Sequence, residues 1–319
     1  MVTRRTMLLG TFATLAAARI PTSLAKASQP ATAVNFDVPP GACDCHTHIH
    51  GDPRDFPWFA GRVYTPEMAL PDEMAALHKA LRIQRVVIVT PSVYGTDNSA
   101  TLYGMKARGR DARGVAVIDD KTPESELDSM HAAGVRGIRL NLATGGTNDP
   151  SVGRARLKAA LERMSKRGWH VQMFTSLAMI SAAKDLVASA PVPVVFDHFG
   201  GAAPEKGVDQ PGFADLIELV RSGKAYVKIS ITAGPRPDYS IFAPLARALV
   251  AANPDRVIWG TNWPHPNSSS GKPAMELTPL FQVDDGLVMN HMAAWLPEPA
   301  IRKKVLVDNP ARLYDFPAI

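Results

Sequence analysis

The chain has 319 residues, 46% of them hydrophobic, enough to bury a sizeable core, and a formal net charge of +5. Its two cysteines, Cys43 and Cys45, stand too close together to staple a fold, which excludes a disulfide scaffold and reads them as packed thiols. Arg4, Arg5, Arg19 and Lys26 fall in residues 1–27 with no acid among them, so the remaining 292 residues carry only +1 and offer no electrostatic case for nucleic acid or an anionic membrane surface.

The arginine pair precedes a short apolar run over 7–18, and Leu24-Ala25-Lys26-Ala27 supplies a small-x-small cleavage pattern. This reads as a signal peptide of the twin-arginine type over 1–27, with a periplasmic destination and no membrane attachment after cleavage. The apolar run is too short for a helix to cross a bilayer core of roughly 30 Å. Residues 28–41, ending in Pro39-Pro40-Gly41, read as a linker into a single domain over 42–319.

From residue 42 the chain alternates strand-like and helical runs. Strands are expected over 42–49, 85–93, 113–119, 135–143, 170–176, 193–200, 225–231 and 256–264. Helical spacing occupies 72–81, 123–133, 154–166, 177–190, 213–221 and 241–252. Val- and Ile-rich strands separated by helices imply parallel strands buried on both faces. Eight such units predict an α/β fold, a (β/α)8 barrel. A doubly wound sheet is the runner-up, but no glycine-rich phosphate loop follows the first strand. Residues 267–282 read as a long loop on the active face.

Strand parity places Asp44, His46 and His48 on one face, and Cys43, Cys45 and Thr47 on the other. Arg139 pairs with Asn141, His198 with Phe196 and Val194, Lys228 with Ser230, and Asn262 with Gly260. His46, His48, Arg139, His198 and Asn262 fall at the carboxyl ends of strands, where such barrels keep their chemistry. Asp197, of opposite parity to His198, reads as structural, and Lys228 as neutralising Asp44 in a lower layer. His50, His78, His131, His170 and His291 read as surface or packing residues. His265 either reaches the mouth or belongs to a rigid turn. Asn309 is expected to tie the last helix to the barrel.

Five ordered stretches carry a resemblance: Asp44-Cys45-His46-Thr47-His48, Val135 to Asn141, Asp197-His198-Phe199-Gly200, Trp259 to Pro266, and Asp308 to Tyr314. Together they resemble the amidohydrolase superfamily, in its 2-pyrone-4,6-dicarboxylate hydrolase and lactonase branch. The resemblance implies an enzyme that opens lactones or related cyclic esters without a bound metal. It casts His46, His48 and His198 around the scissile carbonyl, Tyr64 as a hydrogen-bond donor to substrate, and Arg139 as partner of a substrate carboxylate. Asn141 and His265 complete the expected binding set.

Three departures stand out. Asn262 occupies the position where the family has a water-activating aspartate, Ala143-Thr144-Gly145-Gly146 replaces a second clamping arginine, and Phe174 stands where a tyrosine is expected. A lactone with one carboxylate, or with a different polar end, is expected rather than the dicarboxylate. His46, His48 and His198 are the ligands if a metal is present, and the expected content is none or a single Zn²⁺. Two alternatives to hydrolysis stay open: a barrel that binds its ligand without turnover, and a lactone isomerase or decarboxylase on the same fold.

Overall fold

The computed structural model describes residues 27–144, 149–232 and 234–317. The expected signal peptide thus lies, apart from Ala27, outside the described residues. Eight strands, each pairing in parallel with the next, form one sheet: β1 (Cys43–Thr47), β2 (Arg85–Val89), β3 (Ala112–Ala116), β4 (Val135–Asn141), β5 (His170–Phe174), β6 (Val194–Phe196), β7 (Ala225–Ile229) and β8 (Val257–Trp259). The sheet curls until its edges meet. Beyond the end of β8, Asn262 N donates to His46 O and His48 N donates to Trp263 O, both at 2.8 Å. Gly260 permits this seam, because a Cβ there would lie 2.7 Å from His46 N. The fold is a (β/α)8 barrel.

Helices α1 (Pro71–Leu81), α3 (Glu124–Ala132), α4 (Pro150–Ser165), α7 (Phe213–Arg221) and α8 (Ala243–Ala252) occupy expected stretches. The run over 177–190 is divided at Ala183 into α5 (Leu177–Ala182) and α6 (Lys184–Ala188). Helices outside the expected stretches include α2 (Ser99–Arg108) and α9 (Asp285–Trp295). In α2 a glycine sits mid-helix, ordinarily a weakening choice. Tertiary packing explains it: a Cβ on Gly104 would lie 2.5 Å from Ile49 Cγ1.

Parity in β1 differs from expectation. Cys43 and Cys45 face the barrel interior with Val87, Val89, Val115, Val195 and Ile258, above Tyr314 and Phe316 at the amino-terminal end. Asp44 instead faces the helices, accepting from Thr261 Oγ1 at 2.6 Å and lying 3.3 Å from His78 Nε2. The pairing register of β1 with β2 shifts between Asp44 and Thr47, and this irregularity turns His46 inward. His78, expected as a surface or packing residue, is thus a buried partner of Asp44. Lys228 does not neutralise Asp44, which lies on the other side of the sheet. Asn309 does tie its helix down, donating to Pro254 O and Val257 O at 2.8 Å each.

Residues 28–36, expected as part of a linker, are strapped to the barrel. Trp263 Nε1 donates to Ser28 O at 3.1 Å, and Asp284 accepts from Ala31 N and from Thr32 N and Oγ1. The same carboxylate caps α9 by accepting from Gly286 N and Leu287 N. Losing it in Asp284→Ala is expected to cost about 1–2 kcal/mol and to open the 28–36 strap to protease before the barrel unfolds. Unchanged stability and protection would contradict that assignment.

Burial pushes five of the enclosed histidines below their ordinary 6.5: His46 and His48 far below, His50 to about 4, His170 and His198 to about 3. The unfolded chain takes up protons that the folded one refuses, so stability is lost as pH falls from about 6.5 toward those lower values. Each group contributes roughly 1.4 kcal/mol per pH unit. Asp285, which burial raises, opposes the trend with one carboxyl. We expect cooperative acid unfolding at around pH 4–5, measured as the urea midpoint against pH. A midpoint that stays level from pH 7 to 5 would show that these histidines are not held neutral.

Candidate active site

The carboxyl ends of the strands surround a cavity of about 230 Å³, whose lining includes His48, Tyr64, Arg139, Phe174, His198 and Asn262. A larger groove of about 820 Å³ lies between α1 and α2. There Arg85 already donates to Pro317 O, and Arg108 to Ile83 O and Gln84 O, so the convergent chemistry is at the mouth.

Two of the lining residues owe their direction to backbone the strand pattern cannot reveal. His198 has φ 50° and Asn262 φ 67°, both in the left-handed region that side-chain-bearing residues seldom adopt. By parity His198 would point with Val194 and Phe196 toward the helices; the turn just after β6 brings it into the mouth instead. Such conformations concentrate at functional sites because surrounding structure must hold them. Asn262 is held through both peptide groups, its N–H on His46 O and its carbonyl accepting from His265 N at 2.8 Å.

The histidines are individually fixed. His48 Nδ1 lies 2.7 Å from Val89 O. A carbonyl only accepts, so Nδ1 carries the proton and Nε2 is left as a lone pair. His198 Nδ1 bonds Ser230 Oγ at 2.7 Å, and its ring stands edge-on to Phe174 with centroids 5.3 Å apart. His46 does not line the cavity. It is fully buried behind the other two, its ring 4.9 Å from His48 and 4.5 Å from His198. Burial holds His48 well below its ordinary range, and the Arg139 guanidinium adds to this.

Asp197 belongs to this site and not merely to the scaffold. It has the same inward parity as Val195, and its Oδ2 accepts from Arg139 Nε at 2.9 Å and Gln172 Nε2 at 3.0 Å. Its Oδ1 lies 3.2 Å from His46 Nδ1 and 3.5 Å from Lys228 Nζ. Burial would raise this carboxyl, but the Lys228 and Arg139 cations beside it prevail and hold it well below the carboxylate range. The signal that could have revealed it was the inward register of Val195, carried two residues further along the chain.

Arg139 also lies over the Phe174 ring, 4.9 Å from its centroid, which leaves its terminal nitrogens as the cation bordering the cavity. Tyr64 remains a phenol: burial pushes it up to about 12, with a hydrogen bond to Ser92 opposing. Hydroxyls of Ser92, Thr144, Thr232, Ser268 and Ser269 complete the polar lining. Asn141 does not line the cavity, and its Oδ1 is buried without a partner. His265 belongs to the turn: its Nε2 lies 2.9 Å from Asp285 Oδ2, behind the wall.

Nitrogen or oxygen atoms of His46, Asp197 and His198 come within 4.8 Å of one another, which invites the question of a metal. The donor set does not fit one. Asp197 is already opposed by two buried cations, Arg139 and Lys228, and a dication would add a third positive charge beside them. His46 Nδ1 is within hydrogen-bond reach of Lys228, and residue 262 supplies an amide in place of a carboxylate. The expected His46, His48 and His198 zinc set is not supported on these grounds.

A family profile described as Amidohydrolase matches residues 43–316. The chain is 34% identical over 291 residues to a 2-pyrone-4,6-dicarboxylate hydrolase of Comamonas testosteroni, spanning 88% of this chain and 92% of that one. It is 30% identical to a D-galactarolactone isomerase of Agrobacterium fabrum, across 89% and 94% of the two chains. A solved apo structure from Agrobacterium tumefaciens superposes with a TM-score of 0.74 at 27% identity, covering 90% of this chain and all of that one. On this profile match and this identity, the chain belongs to the amidohydrolase family, in the branch that holds the 2-pyrone-4,6-dicarboxylate hydrolase.

Proposed function

We propose that this protein hydrolyses a small lactone bearing one carboxylate. The observation that carries the reading is the open Nε2 lone pair of His48, facing the same cavity as Arg139 and Asn262. A 2-pyrone is itself a six-membered cyclic ester, so the Comamonas relative supports the substrate class, and the single cationic lining residue among the described residues supports one carboxylate in place of two.

The chemistry follows from the residues. Arg139 pairs with the substrate carboxylate, and the Asn262 amide orients water against the ring carbonyl. Water attacks the carbonyl carbon while His48 Nε2 takes its proton. The tetrahedral oxyanion forms beside His198 and Tyr64, whose phenolic O–H donates to it. The ring C–O bond then breaks, and the proton held by His48 passes to the departing ring oxygen. A substrate carboxylate on Arg139 also offsets the cation that depresses His48, so binding makes that histidine a better base.

Asn262 favours a second reading, lactone isomerisation. With no carboxylate to activate water, a hydroxyl of the substrate itself can attack the carbonyl and close a different ring, and the galactarolactone isomerase relative supports this. Incubating the protein with carboxylated lactones separates the two. Net acid release and an open-chain product indicate hydrolysis, whereas a new lactone without acid indicates isomerisation. Saturable binding with neither product would overturn both and leave a binding barrel. His48→Asn is expected to lower turnover by about 10²–10⁴-fold, and Asn262→Asp to speed acid release. An unimpaired His48→Asn enzyme would remove His48 as the base.

The twin-arginine pattern over 1–27 supports export to the periplasm. Fractionation should recover protein starting at Ser28 outside the cytoplasm, and Arg4→Lys with Arg5→Lys should retain the full chain inside. Unprocessed parent protein in the cytoplasm would refute export.

A further inference from the structure

Beneath the cavity five strands contribute to one buried polar cluster: His46 from β1, Arg139 from β4, Gln172 from β5, Asp197 following β6, and Lys228 from β7. The reaction proposed above uses Arg139 but assigns nothing to Lys228, a fully buried amine with no access to the cavity. A buried ammonium is costly unless each of its protons finds an acceptor. Lys228 Nζ has three acceptors in reach: Gln172 Oε1 at 2.7 Å, His46 Nδ1 at 3.2 Å and Asp197 Oδ1 at 3.5 Å.

The His46 contact determines where that imidazole keeps its proton. His46 Nδ1 stands 3.2 Å from both Lys228 Nζ and Asp197 Oδ1, but only the Lys228 approach has hydrogen-bond alignment; Asp197 Oδ1 is left without a hydrogen-bond partner. A nitrogen that accepts from an amine bears no hydrogen of its own, so the single proton of the neutral ring is on Nε2. His48 is the reverse, with its proton on Nδ1 against Val89 O.

We propose that Lys228 is a positioning residue that holds His46 as the Nε2–H tautomer, so that the two histidines of the His-x-His pair are held in opposite tautomers, His46 with its proton on an Nε2 that has no protein acceptor and His48 with an Nε2 lone pair at the cavity. The tautomer assignment stands on the geometry alone; its effect on rate rests on the hydrolytic or isomerising reading of the site. The arrangement also accounts for the poor metal fit. A cation bridging the pair through Nε2 needs lone pairs on both rings, and Lys228 removes one of them. In Lys228→Met, Asp197 Oδ1 becomes the remaining partner of His46 Nδ1, and the proton moves to that nitrogen.

The test is ¹⁵N NMR of histidine side chains in the whole mature protein, with His46 assigned from its loss in His46→Gln. The parent is expected to show Nδ1 of His46 as a lone pair and Nε2 as N–H. Lys228→Met is expected to exchange them and, through the His48 and His198 rings that His46 packs against, to lower kcat by roughly 10–100-fold, with KM little changed. Lys228→Gln, which keeps a donor without the charge, should retain the parent tautomer and recover part of kcat. Added Zn²⁺ should leave the parent signals in place and shift those of Lys228→Met. A buried cation replaced by an apolar chain is often no loss to stability, so both variants are expected to fold, checked by urea midpoint. A parent His46 protonated on Nδ1, or one signature shared by parent and Lys228→Met, overturns the proposal. Absence of turnover on every lactone would overturn the functional reading alone, because the NMR result is independent of it.

Discussion

Asp197 is a buried carboxylate that accepts from Arg139 and Gln172 and faces His46 and Lys228, and the floor of the site is organised around it. Without that negative charge, two cations would stand together in a closed barrel, a placement whose desolvation cost nothing nearby would offset. With it, Arg139 is held by one edge of its guanidinium and presents the rest to the cavity. His46 is set in place, and Lys228 finds an anion within 3.5 Å. Strands β1, β4, β5 and β7 thus meet on one acid delivered by the turn after β6.

A second carboxylate performs the corresponding task outside the sheet. Asp44 accepts from His46 N, Thr261 N and Thr261 Oγ1, and lies beside His78 of α1. It joins β1, the segment beyond β8 and a helix at the seam where the barrel closes; Asp44 is two residues from His46, and its partner Thr261 is one from Asn262. Seam and site are therefore one construction. The close approach at Gly260 and the left-handed turn at Asn262 are what closure requires, and they also aim the Asn262 amide at the mouth.

The same closure explains why some side chains were legible and others were not. Val86 to Val89, buried on every side, could be read as a barrel strand because hydrophobic runs of that length have few other destinations. Arg139 and Gln172 point inward as period-two alternation requires, since β4 and β5 pair in even register throughout. Alternation misleads at β1 and after β6. A register shift in one reverses the expected face of Asp44, and a left-handed turn in the other brings His198 inward beside Asp197, which keeps the parity of Val195. Helix α2 was missed for a related reason: Gly104 makes it a poor helix by propensity, and its reward is close contact with Ile49, distant in sequence.

The sequence by itself determined the barrel, the family and the residue types at the strand ends, because hydrophobic period, strand count and motif order are properties of the chain alone. It also determined that residue 262 is an amide, with all that this implies for the source of a base. The tertiary structure decided which atoms those residues present. It seals His46 behind His48, withdraws His265 to Asp285, brings Asp197 in from the scaffold and gives Lys228 a place against His46 Nδ1. The physical reason is that the proton position on an imidazole, and the direction of a side chain after a turn, depend on partners that only the closed barrel brings within about 3 Å.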